Sequence, residues 1–182
     1  MSVNLHHRSA ILDTSVLIVL YHLNLLKYLN LFYTKVRIPR EVEREFLTKH
    51  FDQKERSARF DFLMDFYKTN KMWFLPCHEY NSDIVEIYLT EPNIDRGEAE
   101  AFAQNQALGN VHEILLDEKE ARHYARSKNI HHHGVLFILA NLDVKYKACK
   151  YFHAVEKVRN ECATRFSDSV VEQVYKTIKM TT

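Results

Sequence analysis

Four acidic residues occupy positions from which their side chains could meet: Asp13, Glu45, Glu98 and Asp117, in a chain of 182 residues. Asp13 follows the apolar run Ser9-Ala10-Ile11-Leu12, and Asp117 follows Ile114-Leu115-Leu116. Each run is short, bounded by polar residues and suited to a buried strand, so each aspartate is the residue that leaves the strand. Each also precedes a helical stretch, where an aspartate serves as an N-cap, and either one alone is read as well that way. Glu98 lies four residues before Phe102, beside the stripe Ala99, Phe102 and Ala103; it is expected to face the protein body, and Glu100 to face water. Alone, Glu98 reads as favourable charge at a helix N-terminus. Glu45 shares the face of Val42 and adjoins Phe46, with Glu43 turned away and Glu41 the second choice one turn earlier. Alone, it reads as a solvated surface charge.

Together the four read differently. Carboxylates gathered at one point repel, and some take up protons unless a cation neutralises them. Oxygen-only donors suit a hard ion, so Mg2+ or Mn2+ is the expected filler. Such an ion lowers the pKa of a bound water and braces a phosphate oxygen for in-line attack. That chemistry requires no protein nucleophile, and the chain carries no recognisable Ser-His-Asp or Cys-His signature.

Convergence demands particular elements. Strands are expected at 9–12, 36–38, 72–75 and 113–116. A helix capped by Thr14 or Ser15 carries Val16, Leu17, Leu20, Leu23 and Leu26 at helical spacing. Further helices are expected at 40–49 after Pro39, 54–68, 83–89, 96–108 closed by Gly109, 118–128 and 135–142, with two amphipathic helices at 151–162 and 169–178. Alternating strands and helices predict an α/β fold with a central parallel sheet flanked by helices. Ligands of such sheets bind beyond the carboxyl ends of the strands, where Asp13 and Asp117 emerge. Residues 1–182 read as a single domain, with the last two helices, from about 149, as its C-terminal part.

Composition bounds the partners. The net charge is +1, so a nucleic-acid surface has to be local. No apolar stretch is long enough to span a bilayer, because the run 16–31 is broken by His22, Asn24, Lys27 and Asn30. Residues 1–8 are polar and lack a signal-peptide layout. The cysteines, Cys77, Cys149 and Cys162, are scattered, which suits a reducing, cytoplasmic location. The only glycines are Gly97, Gly109 and Gly134, which excludes a glycine-rich phosphate loop. His131-His132-His133 reads as a polar turn with one histidine near RNA, since adjacent residues rarely ligate one zinc, and Cys77-His78 reads as incidental. Arg96, Lys119, Arg122, Arg126 and Lys128 cluster in sequence around the site edge and could hold phosphates; the plainer alternative is a solvated face with pairs such as Glu118 with Arg122.

These residues also match a known pattern. Leu12-Asp13-Thr14-Ser15-Val16-Leu17-Ile18 resembles the opening motif of PIN domains, and Ile38-Pro39-Arg40-Glu41-Val42-Glu43-Arg44-Glu45 their proline-and-helix step. Asp95-Arg96-Gly97-Glu98-Ala99-Glu100-Ala101 resembles the signature of one bacterial and archaeal PIN subgroup. Leu115-Leu116-Asp117-Glu118-Lys119-Glu120-Ala121-Arg122, then Asn129-Ile130 and Gly134, resembles the steps that follow it. The resemblance covers roughly 10–142. It implies a PIN-like fold and a metal-dependent endoribonuclease, VapC-like, most often the toxin of a toxin–antitoxin pair. The family's acidic quartet falls on Asp13, Glu45, Glu98 and Asp117, with Asp13, Glu98 and Asp117 as metal ligands. Ser15 matches a hydroxyl near the metal, and Arg96, Lys119 and Arg122 are the expected substrate contacts. A homodimer and a protein antitoxin are likewise implied by the resemblance alone. The alternatives are the same core used as a defence effector or processing enzyme on RNA or single-stranded DNA, and a catalytically silent interaction module. The chain departs from the family at Val135-Leu136-Phe137, where a hydroxyl and a further acid are often found, and in the long aromatic-rich segment 51–93.

Overall fold

Strand β1 (Ser9–Leu12) is the centre of the molecule. Its apolar side chains leave it no polar face, and the sheet around it is covered on both sides. The computed structural model describes residues 9–48, 52–77, 80–110, 112–162 and 166–182. Residues 1–8, Lys49 at the expected end of a helix, Phe51 and His78 lie outside the described residues.

β1 pairs in parallel with β2 (Lys35–Ile38) on one side and β4 (Glu113–Leu115) on the other. β3 (Phe74–Pro76) and β5 (His132–His133) close the two edges, giving the order β3-β2-β1-β4-β5. All pairings are parallel, as alternating strands and helices predict. Leu12 lies opposite Leu115, so Asp13 leaves the sheet one residue past that rung and Asp117 two residues past it, at the same edge. The Asp13 backbone N–H donates to Leu115 O at 3.1 Å and fixes this level.

The helices are α1 (Thr14–His22), α2 (Arg40–Thr48), α3 (Gln53–Asn70), α4 (Ser82–Leu89), α5 (Arg96–Ala107), α6 (Lys119–Ser127), α7 (Val135–Val144), α8 (Tyr151–Glu161) and α9 (Asp168–Met180). One apolar cluster packs α1, α2, α3, α7, α8 and α9 against one sheet face; a second packs α4, α5 and α6 against the other through Ile11, Phe102, Ile114 and Leu116. Among the described residues, no helix is long and apolar enough to cross a membrane.

Two expectations are corrected. The apolar spacing through Leu26 predicted one continuous helix, but α1 ends at His22 and a 3-10 helix (Leu26–Leu31) follows. Asn24 takes a φ of 55°, and Leu25 N–H donates back to Leu20 O at 2.8 Å, which is a Schellman stop. The same stop closes α5 at Gly109 and α6 at Asn129. The histidine run is not a turn. Its last two residues are the edge strand β5, paired with β4 at Ile114–His132 and Leu115–His133, and Leu116 N–H just past β4 donates to His133 O at 2.9 Å.

A buried cation stiffens the support of α2. Arg59 on α3 is fully buried; it donates to Phe46 O at 3.2 Å and to Glu55 Oε1 at 3.2 Å, and it meets His22 Nε2 at 3.0 Å. Its guanidinium also lies over the rings of Phe46 and Tyr21 at 4.9 and 5.2 Å. Hydrogen bonds and ring faces together offset the desolvation of the charge.

Candidate active site

Asp13 has extended backbone and is the N-cap of α1, in place of the Thr14 or Ser15 cap expected. Its Oδ2 accepts from Ser15 N at 3.3 Å and Ser15 Oγ at 2.5 Å. Capping and a site role are therefore compatible, because Oδ1 takes no part in these bonds. Burial pushes the Asp13 carboxyl up to about 6, opposed by the Ser15 hydroxyl and aided by the Asp95 charge.

Asp117 behaves differently. The cap residue of α6 is Glu118, not Asp117. Asp117 reaches across to the start of α7, where its Oδ1 accepts from Val135 N at 2.9 Å. Its Oδ2 is buried with no hydrogen-bond partner. Burial raises its carboxyl to about 7; the Asp13 charge adds to this and Arg122 opposes it. The contact requires Gly134, since a Cβ there would stand 2.5 Å from Asp117 Oδ1.

Glu98 belongs to a reciprocal capping box. Its N–H donates to Asp95 Oδ1 at 2.9 Å, and its Oε2 accepts from Asp95 N at 3.0 Å. The other oxygen, Oε1, is buried without a partner. Burial raises Glu98 to about 8, with further upward pressure from Asp95, Asp13 and Glu118. The spacing Asp95-x-x-Glu98 carried this box in the sequence, and Asp95 is a site neighbour that the sequence reading passed over.

Asp13, Glu98 and Asp117 thus share one electrostatic environment at the carboxyl edge of the sheet. Glu45 is half-buried on α2, where its charge bears on Arg44. α2 packs on α1 and α5, and Val42 would meet a Cβ at Gly97 at 3.6 Å, so Glu45 lies one turn from this contact.

Glu100 corrects the facing argument. It is buried rather than solvated; its Oε2 accepts from Glu41 N at 2.7 Å, and the Tyr80 hydroxyl bonds to it. Glu41 is also buried and is gripped by Arg44, whose Nε donates at 2.7 Å while a second nitrogen bonds the other oxygen. The physical reason is that α5 is enclosed by α2, α4, β1 and β4, so its polar residues fall inside as well as its apolar ones.

Of the expected substrate contacts, Ser15 is committed to Asp13, and Arg96 to Glu86 at 2.8 Å. Lys119 is exposed in the first turn of α6. Arg122 reaches the site, with Nη1 3.7 Å from the Cβ position of Gly134. A cleft of about 330 Å³ beside Glu98 is lined by Asn93, Asp95, Glu98, Glu118 and Glu120.

Among the described residues, no three His, Cys, Asp or Glu side chains close on a common point as they stand. Each of the three carboxylates accepts from a local donor: Asp13 from Ser15, Glu98 from the Asp95 N–H and Asp117 from the Val135 N–H. Their chemistry still fits a hard cation: every donor is oxygen, and two buried carboxylate oxygens, Glu98 Oε1 and Asp117 Oδ2, are unsatisfied.

No curated protein matches the chain. The profile of the PIN-domain family matches residues 9–180. PIN domains are in general nucleases, and the parallel sheet with its acidic edge is a nuclease-type fold. By that match across nearly its whole length, the chain belongs to the PIN-domain family.

Proposed function

We propose that the protein is a divalent-metal-dependent endoribonuclease, with Asp13, Glu98 and Asp117 as the ligands of Mg2+ or Mn2+ and Glu45 completing the acidic set. The observation that carries the reading is the pair of buried, unsatisfied oxygens, Glu98 Oε1 and Asp117 Oδ2, beside Asp13. Three carboxylates raised to about 6, 8 and 7 are poor acids of their own accord and good hosts for a counter-charge. When bound, the ion supplies charge for the phosphate and an acidified water. The protein residues do the rest. Ser15 holds Asp13 in one rotamer, Val135 N–H and Gly134 fix Asp117, and the capping box fixes Glu98. Arg122, which lies against Gly134, and the exposed Lys119 take up phosphate charge in this reading.

The finer role proposed is that of a toxin controlled by a protein antitoxin, working as a homodimer in the cytoplasm; its support is the likeness of Asp95-Arg96-Gly97-Glu98-Ala99-Glu100-Ala101 to the VapC-like signature. The test is incubation of total RNA with the purified protein in Mg2+, Mn2+ or chelator, followed by mapping of the cut ends. Discrete new ends that vanish in chelator support the reading. Intact RNA in both metals overturns it.

A further inference from the structure

Helix α6 separates its charges. At about 100° per residue, Lys119, Arg122 and Arg126 fall on one flank, with Glu120 and Tyr124 on the other. The contacts agree with this. Tyr124 packs on Phe102 and Tyr88, at 5.1 and 6.1 Å between ring centres, and Glu120 lines the acidic cleft beside Glu98. On the opposite flank Arg122 lies against Gly134, and both Arg122 and Arg126 bear on His132 of β5. Arg126 and Lys119 form no ion pair among the described residues, and Glu118 does not pair with Arg122. Arg96, by contrast, is tied to Glu86 on the acidic side. A polyanion approaching Asp117 therefore meets repulsion on one side of α6 and unpaired cations on the other. Arg122 and Arg126 are one turn apart, about 6 Å along the axis, a step comparable to that between successive phosphates of an extended strand.

We infer that the Arg122–Arg126 flank of α6, facing β5, is the track that carries the phosphates of a single-stranded nucleic acid away from the carboxylates, and that Arg96 and the acidic cleft are not part of it. The inference rests on the nuclease reading above and adds the path and the residues beyond Arg122.

The test is equilibrium binding of a short fluorescein-labelled oligouridylate to Asp13→Asn, which keeps the probe intact, over a range of salt concentrations. Each single-strand phosphate contact contributes about 0.7 to the slope of log K against log salt. Added to that parent, Arg126→Ala should weaken binding and flatten the slope by about 0.7, and so should Arg122→Ala. Arg96→Ala, and Lys176→Ala on α9, should leave both affinity and slope unchanged. Arg126 is exposed, so its removal does not threaten the fold. An unchanged slope in Arg126→Ala, or an equal loss in Arg96→Ala, overturns the track. So does a parent that binds no probe at low salt; cleavage of total RNA by the wild-type protein then shows whether the nuclease reading falls with it or stands alone.

Discussion

Replacing Gly134 by alanine adds one methyl group at the tightest point of the site. The residue has φ −96° and ψ 174°, a conformation open to any amino acid, so the substitution strains no backbone. What the new Cβ meets is Asp117 Oδ1 at 2.5 Å and Leu116 O at 3.3 Å. To regain ordinary contact near 3.4 Å, the carboxylate oxygen has to retreat by about 0.9 Å. It is the end of a side chain and can move, so the fold survives. The hydrogen bond from Val135 N at 2.9 Å does not survive in its present form. Weakening a bond to a charged acceptor costs about 1–3 kcal/mol in stability. A displacement on the order of 1 Å at a reacting centre lowers a rate about a hundredfold. Gly97→Ala is the matched control, because its Cβ would meet only ordinary contacts: Asp95 Oδ1 at 3.4 Å, with Thr14 Oγ1 and Val42 Cγ2 at 3.6 Å. Alanine also suits a helix better than glycine by up to about 1 kcal/mol. The assay is cleavage of a fluorogenic RNA at saturating Mg2+, alongside thermal unfolding. Gly134→Ala should be folded and about a hundredfold slower, and Gly97→Ala folded and active. A fully active Gly134→Ala would refute the claim that Asp117 must be held where this contact holds it.

Other outcomes follow from the same geometry. Asp13, Asp117 and Glu98 have native values raised to about 6, 7 and 8 from ordinary values of 3.8, 3.8 and 4.5. The native state therefore binds more protons than the unfolded chain, and in chelator stability should fall as pH rises from about 4 to about 8, then level off. A melting temperature that instead rises across that window contradicts the assignment. Millimolar Mg2+ or Mn2+ should raise the melting temperature at pH 8 and flatten this dependence, since only the native state gathers the carboxylates; Asp13→Asn should shrink the effect. Glu100→Ala should destabilise by about 1–3 kcal/mol, because it strands the buried Glu41 N–H, whereas Glu100→Gln keeps an acceptor and should lose less. Equal melting temperatures for the two would show that this hydrogen bond carries no weight.

How far the sequence reaches is seen best at individual residues. Asp13 and Asp117 were legible because an apolar run that ends in a charge marks where a buried strand stops, and the parallel-sheet rule then puts both at one edge. Gly109 marked the end of α5 through the same local chemistry. Glu100 was not legible: helical periodicity separates faces only when one face meets water, and α5 is enclosed on nearly every side. β5 was hidden because His132 and His133 have no strand pattern of their own; their strand exists through hydrogen bonds to β4, a partner distant in sequence. The break of α1 at Asn24 lay in a single left-handed residue that apolar spacing overrode. The grip of Gly134 on Asp117 joins two loops, and no local pattern announces it.

The central claim is that Asp13 acts as an anionic donor to a metal and not merely as the cap of α1. Asparagine caps as well as aspartate but carries no charge, so Asp13→Asn separates the two. The direct measurement is single-turnover cleavage of one RNA oligonucleotide by wild-type protein and Asp13→Asn, each titrated with Mg2+ and each checked for folding in chelator. Expected are equal folding, metal-dependent cleavage by the wild-type protein, and a rate lower by orders of magnitude in Asp13→Asn at every metal concentration. Cleavage by Asp13→Asn at the wild-type rate, or wild-type cleavage that persists in chelator, would contradict it.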